Sequence, residues 1–253
     1  MPELLERGLG HLMSHELGRA LELFQEMLKV YSKDRAAQAG LAICSVLRKD
    51  LPNTRALVEE SVSAPNPPSL AFVASGMLSE AEGRPEQAEV DFNRALQEEP
   101  RSVYARYALG VFLSRSGQVD DGIIRLSRLT EEYPGFWLAR HQLAWGYVRK
   151  GAFRQALGEA WRAVRLKPSA PNVRLLVLSV IGAYPFVRWI PAILTFLLLS
   201  FFRNSVPGFA ILMVVCSGIF VLGYWVTERK SLLWLLLLLL VLGAAYYFLP
   251  AHR

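Results

Sequence analysis

Small residues that recur every 34 positions constrain this chain more than any other feature of its sequence. Two sets follow this spacing: Gly8, Ala42, Gly76, Gly110 and Ala144, and Ala20, Thr54, Ala88, Gly122 and Ala156. A strict period of this length is typical of solenoids built from helical hairpins, because small residues let the paired helices approach each other. The sequence therefore predicts five helical hairpins over residues 1–168.

Larger apolar residues and prolines recur in the same frame. The apolar set is Phe24, Val58, Phe92 and Leu126, with Ala160 at the fifth position. Prolines close the last three units, at Pro100, Pro134 and Pro168. A further group of prolines, Pro65, Pro67 and Pro68, predicts an irregular join between the second and third hairpins.

These residues resemble the tetratricopeptide repeat (TPR) family, whose unit has a Leu-Gly pair and an aromatic residue in its first helix and Ala, Phe, Ala and Pro through its second. The third unit matches this pattern with Gly83, Ala88, Phe92, Ala95 and Pro100. The fourth supplies Leu109, Gly110, Gly117 and Pro134, and the fifth supplies Leu143, Tyr147, Gly151, Ala156, Ala163 and Pro168. The resemblance implies an all-α fold, a right-handed TPR-like α-solenoid of about five hairpins. It indicates protein binding without naming the partner.

The composition of the chain changes after the fifth hairpin. Residues 171–253 contain six basic residues and one acidic residue, whereas residues 1–170 contain 22 basic and 21 acidic residues. A nucleic-acid-binding domain would need a basic face on the repeats, which this balance does not favour. Basic residues within apolar sequence suit the short loops beside membrane-spanning helices.

Three apolar stretches predict membrane spans at residues 184–202, 206–226 and 231–249. The last two contain no charged residue, and at ~1.5 Å per residue each is long enough for a hydrocarbon core of ~30 Å. The first contains Arg188 one turn inside its end, where the side chain reaches the headgroups. Four spans or two spans remain alternatives. Residues 169–183 are predicted to form a capping helix and linker, since the last hairpin of a solenoid needs a cover.

The charges that flank the spans predict their orientation. With the repeats in the cytoplasm, three spans place Arg174, Arg188, Arg229 and Lys230 on the inner side. Residues 1–29 read as a repeat hairpin and lack the pattern of a secretory signal. We expect an integral protein of the bacterial cytoplasmic membrane, with the C-terminus on the opposite side. Cys44 and Cys216 lie in a repeat helix and a span, so they form no disulfide, which suits a reducing compartment.

Groups suited to catalysis or metal binding are sparse in this sequence. His11 and His15 are helical neighbours, but no third ligand of suitable type accompanies them. The Gly8-Leu9-Gly10 stretch follows no strand and therefore does not read as a phosphate loop. Motifs of serine nucleophiles, zinc proteases and kinases do not occur. We expect no enzymatic activity, no cofactor and no metal.

The resemblance implies that the first helix of each hairpin lines a concave groove. The residues assigned to a partner-binding groove are Met77, Tyr104, Tyr107, Val111, Arg115, His141, Trp145 and Arg149. Aromatic side chains beside guanidinium groups favour a peptide or helix segment with apolar residues and carboxylates. Family members that clamp a chain-terminal carboxylate use Asn and Lys on this face. The corresponding row here is apolar, which disfavours that function: Leu9, Ile43, Met77, Val111 and Trp145. Ordinary packing and solvated surface are the alternatives for these residues.

These features predict a membrane-anchored scaffold or adaptor that recruits or assembles partner proteins at the cytoplasmic face. The alternative is a permanent accessory or structural subunit of a larger membrane complex, and an enzyme is a third hypothesis. Expected partners are a protein segment in the groove, membrane lipids and other transmembrane subunits, with no nucleic acid. Small residues such as Gly218 and Gly243 offer close approach to other spans.

Overall fold

The computed structural model describes residues 2–63 and 65–184, and these residues form eleven α-helices and no strand. The helices are α1 Pro2–Met13, α2 Leu17–Val30, α3 Arg35–Leu47, α4 Leu51–Val62, α5 Ser69–Ala81, α6 Pro85–Glu98, α7 Val103–Ser116, α8 Val119–Glu132, α9 Trp137–Arg149, α10 Phe153–Leu166 and α11 Ala170–Ala183. The prediction of an all-α solenoid is confirmed. Within the described ranges, no helix has the length and apolarity needed to cross a membrane. The stretches expected to span the membrane from residue 185 onward lie outside the described residues.

Pairs of consecutive helices form the solenoid. From α1 to α10, each odd-numbered helix packs against the even-numbered helix that follows it, and the odd-numbered helices also contact one another along the array. The prolines between α4 and α5 leave the register of the sequence repeat unchanged, because α3 begins at Arg35 and α5 begins at Ser69, 34 residues later. Helices α7 and α9 continue the same frame. The 34-residue frame is therefore kept from the second hairpin to the fifth.

Small residues in the first helix of a hairpin meet large residues in the second helix. A Cβ atom added to Gly8 would lie 2.6 Å from the Phe24 ring, and one added to Gly76 would lie 2.9 Å from the Phe92 ring. Such distances are shorter than van der Waals contact, so these rings occupy the space that a side chain would need. Phe24 and Phe92 are at most 1% exposed. The repeating sequence pattern thus records the contacts inside each hairpin.

The fifth hairpin has Ala160 at the position where the other hairpins have a larger apolar residue, and α11 packs against this position. Ala144 and Ala160 form a buried cluster with Leu175 of α11, and Leu175 is 1% exposed. Asn172 binds the same hairpin, because its side-chain nitrogen donates to the Lys167 carbonyl at 2.7 Å. Helix α11 therefore covers the end of the repeat array.

The backbone conformation of the hairpin turns follows the same repeat. Residues at the same place in each turn have positive φ: His15 58°, Lys49 63°, Gly83 75°, Gly117 104° and Gly151 77°. Glycine adopts this conformation freely, whereas other residues lose about 1–2 kcal/mol. Packing of the hairpins therefore imposes the turn on His15 and Lys49 against their own preference.

The first hairpin returns to contact the fifth. The Lys167 ammonium donates to the Ser14 carbonyl at 2.6 Å and lies 3.9 Å from the Glu16 carboxylate. The same ammonium lies 5.0 Å from the centroid of the Trp137 indole. The two ends of the repeat array are therefore joined through one lysine.

Candidate functional site

A cavity of about 140 Å³ lies on the side of the solenoid formed by the first helices of the hairpins. Residues from all five hairpins line this inner cavity: Leu12, His15, Leu47, Met77, Glu80, Phe92, Tyr104, Tyr107, Ala108, Val111, Arg115, Leu138 and Gln142. Most of these side chains are apolar, and the charged ones belong to Glu80 and Arg115. The inner cavity is thus an apolar space with an ion pair among its lining residues.

Five of the eight residues assigned to the groove from the sequence line this cavity together. They are Met77, Tyr104, Tyr107, Val111 and Arg115. Helices α5 and α7 position them, because the repeat places Met77 and Val111 at equivalent points of successive first helices. Met77 and Val111 are half-buried, so their side chains retain exposed surface.

The two tyrosines form a buried and uncharged part of the wall. Tyr104 is 5% exposed and Tyr107 is 9% exposed, with ring centroids 6.0 Å apart. The Tyr107 ring also packs against Phe136 at 5.3 Å. Burial raises the pKa of both phenols, and a hydrogen bond with Gln142 partly opposes this shift of the pKa of Tyr107. Both hydroxyl groups therefore stay protonated at neutral pH, where they present polar edges without charge.

His141 and Trp145 lie outside the lining of the inner cavity, which differs from their assignment to the groove. His141 Nδ1 lies 2.6 Å from the Asn172 side-chain oxygen. Since the amide nitrogen of Asn172 donates to a backbone carbonyl, this oxygen accepts and His141 Nδ1 carries the proton. Trp145 packs against the cluster formed with Leu175. The physical reason is that α11 packs along α9 and occupies the surface that both side chains would otherwise present.

Arg149 also lies outside the lining, but its side chain extends toward α7. Its guanidinium donates to the Ser114 hydroxyl at 3.3 Å, while Arg115 pairs with Glu80 at 3.3 Å. Burial and the neighbouring Arg115 charge lower the pKa of Arg149, and Glu80 acts in the opposite direction. Glu80 therefore pairs with Arg115, whereas the Arg149 guanidinium forms no ion pair with a described residue. The positive charge that remains favours an incoming carboxylate.

The sequence missed the lining residues from the first two hairpins, namely Leu12, His15 and Leu47. The apolar pattern of α1 and α3 signals that Leu12 and Leu47 pack against something. It does not indicate that the neighbours belong to α7 and α9, because a repeat pattern specifies contacts within and between adjacent hairpins only. Lys167 contacts Ser14 and Glu16 in the turn that follows Leu12, and this contact holds the first hairpin near the fifth.

Other features of the described residues offer little for chemistry. A larger open cleft of about 540 Å³ lies between α2, α3 and α4 and contains none of the residues assigned to the groove. Residues 2–63 and 65–184 contain no cluster of three metal-binding side chains. Burial raises the pKa of the Cys44 thiol to about 11, so this thiol stays protonated and serves packing.

Comparison with known proteins gives the family of the repeats. Residues 80–144 match the family model described as "Tetratricopeptide repeat". The solved structure of TTC0263, a thermophilic TPR protein of Thermus thermophilus, is 18% identical, with 70% of this chain and 97% of that chain covered and a TM-score of 0.56.

Two further structures share the fold. PilW, a type IV pilus biogenesis factor, is 16% identical, with 83% of this chain and 97% of that chain covered and a TM-score of 0.52. A chain of the Cut9–Hcn1 hetero-tetramer of the APC/C is 14% identical, with 84% of this chain and 42% of that chain covered and a TM-score of 0.56. No curated protein matches the chain. The family match therefore covers the central hairpins, residues 80–144, and the described hairpins share the fold of these tetratricopeptide-repeat structures.

Proposed function

We propose that this protein is a membrane-anchored scaffold or adaptor, which recruits or assembles partner proteins at the cytoplasmic face of a membrane. The inner cavity is the observation that carries the proposal. It brings half-buried apolar side chains, Met77 and Val111, together with the guanidinium of Arg115. Arg149 lies outside the lining, with its guanidinium 3.3 Å from the Ser114 hydroxyl. This combination is suited to binding a protein segment.

The chemistry of the cavity defines the segment that it would bind. Apolar walls favour a hydrophobic side chain, and Arg115 with Arg149 favours a carboxylate close to it. The volume of about 140 Å³ is smaller than the ~300–1,000 Å³ of typical ligand pockets. The cavity as it stands therefore suits one inserted side chain of a partner. Entry of a whole helix would require the first hairpin to separate from α9.

The membrane anchor of the proposal rests on the sequence after residue 184. Helix α11 ends at Ala183, and the first expected span, residues 184–202, would follow without a linker. The repeats would then lie directly against the membrane surface. Partners bound in the inner cavity would be held at the membrane surface, within reach of other transmembrane subunits.

Variants with matched controls test the partner site. Arg115→Glu combined with Arg149→Glu, and separately Val111→Gln, should reduce the amount of partner that co-purifies with the full-length protein in mild detergent. The matched controls are Arg128→Glu on α8 and Val90→Gln on α6, which change exposed residues on the outer helices. These controls should leave the amount of co-purified partner unchanged. The effect of the arginine variants should be larger at low salt, because exposed charges are screened over ~10 Å at 0.1 M.

Variants of Tyr107 and Trp145 are less suitable probes, because Tyr107 is buried in the core and Trp145 packs, partly buried, against the cluster that contains Leu175. A partner set that is the same for the wild type and the cavity variants would contradict the proposed site. Such a result would favour a permanent accessory subunit that is held through its spans or its outer face.

A further inference from the structure

Positive charge is concentrated at the end of the described repeats. Residues 1–150 contain 18 basic and 20 acidic residues, a net charge of −2, whereas residues 151–184 contain five basic and one acidic, a net charge of +4. That single acid, Glu159, is 9% exposed and pairs with Arg140 and Arg162. The surface of α10 and α11 therefore has no exposed carboxylate of its own.

One face of α10 carries this charge together with an exposed tryptophan. The α10 face consists of Arg154, Gly158, Trp161 and Arg165, whose spacing of three or four residues places them along one side of the helix. All four are exposed, and Trp161 is 54% exposed. The opposite side of α10 is buried in the hairpin through Ala156, Ala160 and Ala163. Neither Arg154 nor Arg165 forms an ion pair with another described residue.

The α10 face begins close to the point where the chain leaves the repeats. A Cβ atom added to Gly182 would lie 2.1 Å from the Phe153 ring, so the last turn of α11 packs against the first residue of α10. Arg154 is the next residue, and the first expected span starts at Tyr184. The start of the α10 face therefore lies beside the expected entry into the membrane.

We propose that the α10 face binds the anionic headgroups of the membrane in which the protein is anchored. Tryptophan concentrates at the interface between lipid and water, and arginine side chains are attracted to anionic lipids. The large apolar side chain of the α10 face is Trp161, which lies between two arginines. A protein-binding surface would present a larger continuous apolar area. The proposal rests on the membrane anchor of the proposed function and adds an orientation, in which α10 lies along the membrane surface.

Gly158 offers a position for a probe within the α10 face. A Cβ atom at Gly158 meets no atom within 4 Å, so Gly158→Cys leaves Trp161 and both arginines in place. The matched control is Val90→Cys on the outer helix α6, where the side chain is 58% exposed. Cys44→Ala and Cys216→Ala remove the native thiols. The full-length variants are labelled with a fluorophore and reconstituted into phosphatidylcholine vesicles with and without phosphatidylglycerol, and the lipids carry a quencher on the headgroup.

We expect several-fold stronger quenching at position 158 than at position 90, and stronger quenching with phosphatidylglycerol than without it. Arg154→Glu combined with Arg165→Glu should reduce quenching at position 158, and Trp161→Ala should reduce it in both kinds of vesicle. Equal quenching at the two positions, or no response to these variants, would overturn the proposal. Protection of position 158 by a bound protein, without quenching by lipid, would overturn it as well.

Alkaline extraction of the same vesicles separates this inference from the membrane anchor. Retention of the protein with no quenching at position 158 would overturn the orientation of α10 alone. Release of the protein would overturn the anchor together with this inference. Partner capture by the inner cavity is measured independently in detergent.

Discussion

Lys167 is the residue whose replacement most directly tests the closure of the repeat array. Its ammonium donates to the Ser14 carbonyl at 2.6 Å, approaches Glu16 at 3.9 Å and lies over the Trp137 ring. A hydrogen bond from a charged donor contributes about 1.5–3 kcal/mol and an exposed cation–π contact about 0.5–1 kcal/mol. The ion pair adds little, because both side chains are about one-third exposed and solvent screens them.

These contributions overlap, since one ammonium makes all of these contacts. Together they stabilise the association of the first hairpin with the fifth by about 2 kcal/mol. Lys167→Ala should raise the equilibrium constant for separation of the first hairpin about 30-fold, at about 1.4 kcal/mol per factor of ten. Native-state hydrogen exchange measures this opening of the first hairpin. The amides of α1 and α2 should exchange faster, and the exchange rates of amides in α5–α8 should not change. The control is Lys150→Ala, which removes the ion pair with Asp120 between α9 and α8. Unchanged exchange in α1 and α2 would refute the closure.

The remaining predictions concern packing and pH. Gly122→Ala should lower the free energy of unfolding by about 1–3 kcal/mol, because the new Cβ would lie 2.6 Å from the Ser114 amide nitrogen and 2.8 Å from the Gly110 carbonyl. Gly158→Ala should raise the free energy of unfolding by about 0.5–1 kcal/mol, since this helical glycine has open space around it. Thermal unfolding of both variants in detergent measures these two effects. Burial lowers the pKa of His141 below 6.5, and the hydrogen bond with Asn172 opposes this. The unfolded chain then binds the proton that the folded state excludes, so stability should fall as pH falls below 6.5. The thermal midpoint of His141→Gln should depend less on pH over this range, and an identical pH dependence would contradict the assignment.

The contacts inside each hairpin could be predicted from the sequence because they repeat. Gly76 and Phe92 belong to the two helices of one hairpin, and their contact follows from the pattern alone. The same frame predicts that Met77 and Val111 occupy equivalent positions, and both residues line the inner cavity. Local periodicity is therefore sufficient to predict the solenoid fold and the positions of residues that line the middle of the inner cavity.

Contacts that occur once in the molecule could not be predicted in this way. The contact between Lys167 and Ser14 joins residues 153 positions apart, and it depends on the cumulative curvature of five hairpins. The contact of the partly buried Trp145 with the cluster around Leu175 depends on how α11 packs, and α11 lies beyond the repeat pattern. The turn residues show a further limit, because Lys49 adopts a backbone conformation that its sequence does not favour. Tertiary packing decides each of these features.

Photo-crosslinking from the wall of the inner cavity tests most directly whether a partner protein binds there. A small diazirine-bearing side chain replaces Val111 in the full-length protein, and the same side chain at Val90 on the outer face of α6 is the control. Irradiation should link position 111 to a partner protein, position 90 should give no such product, and Arg115→Glu with Arg149→Glu should abolish the product. A partner that co-purifies with the protein but crosslinks from position 90, or from both positions equally, would contradict the account.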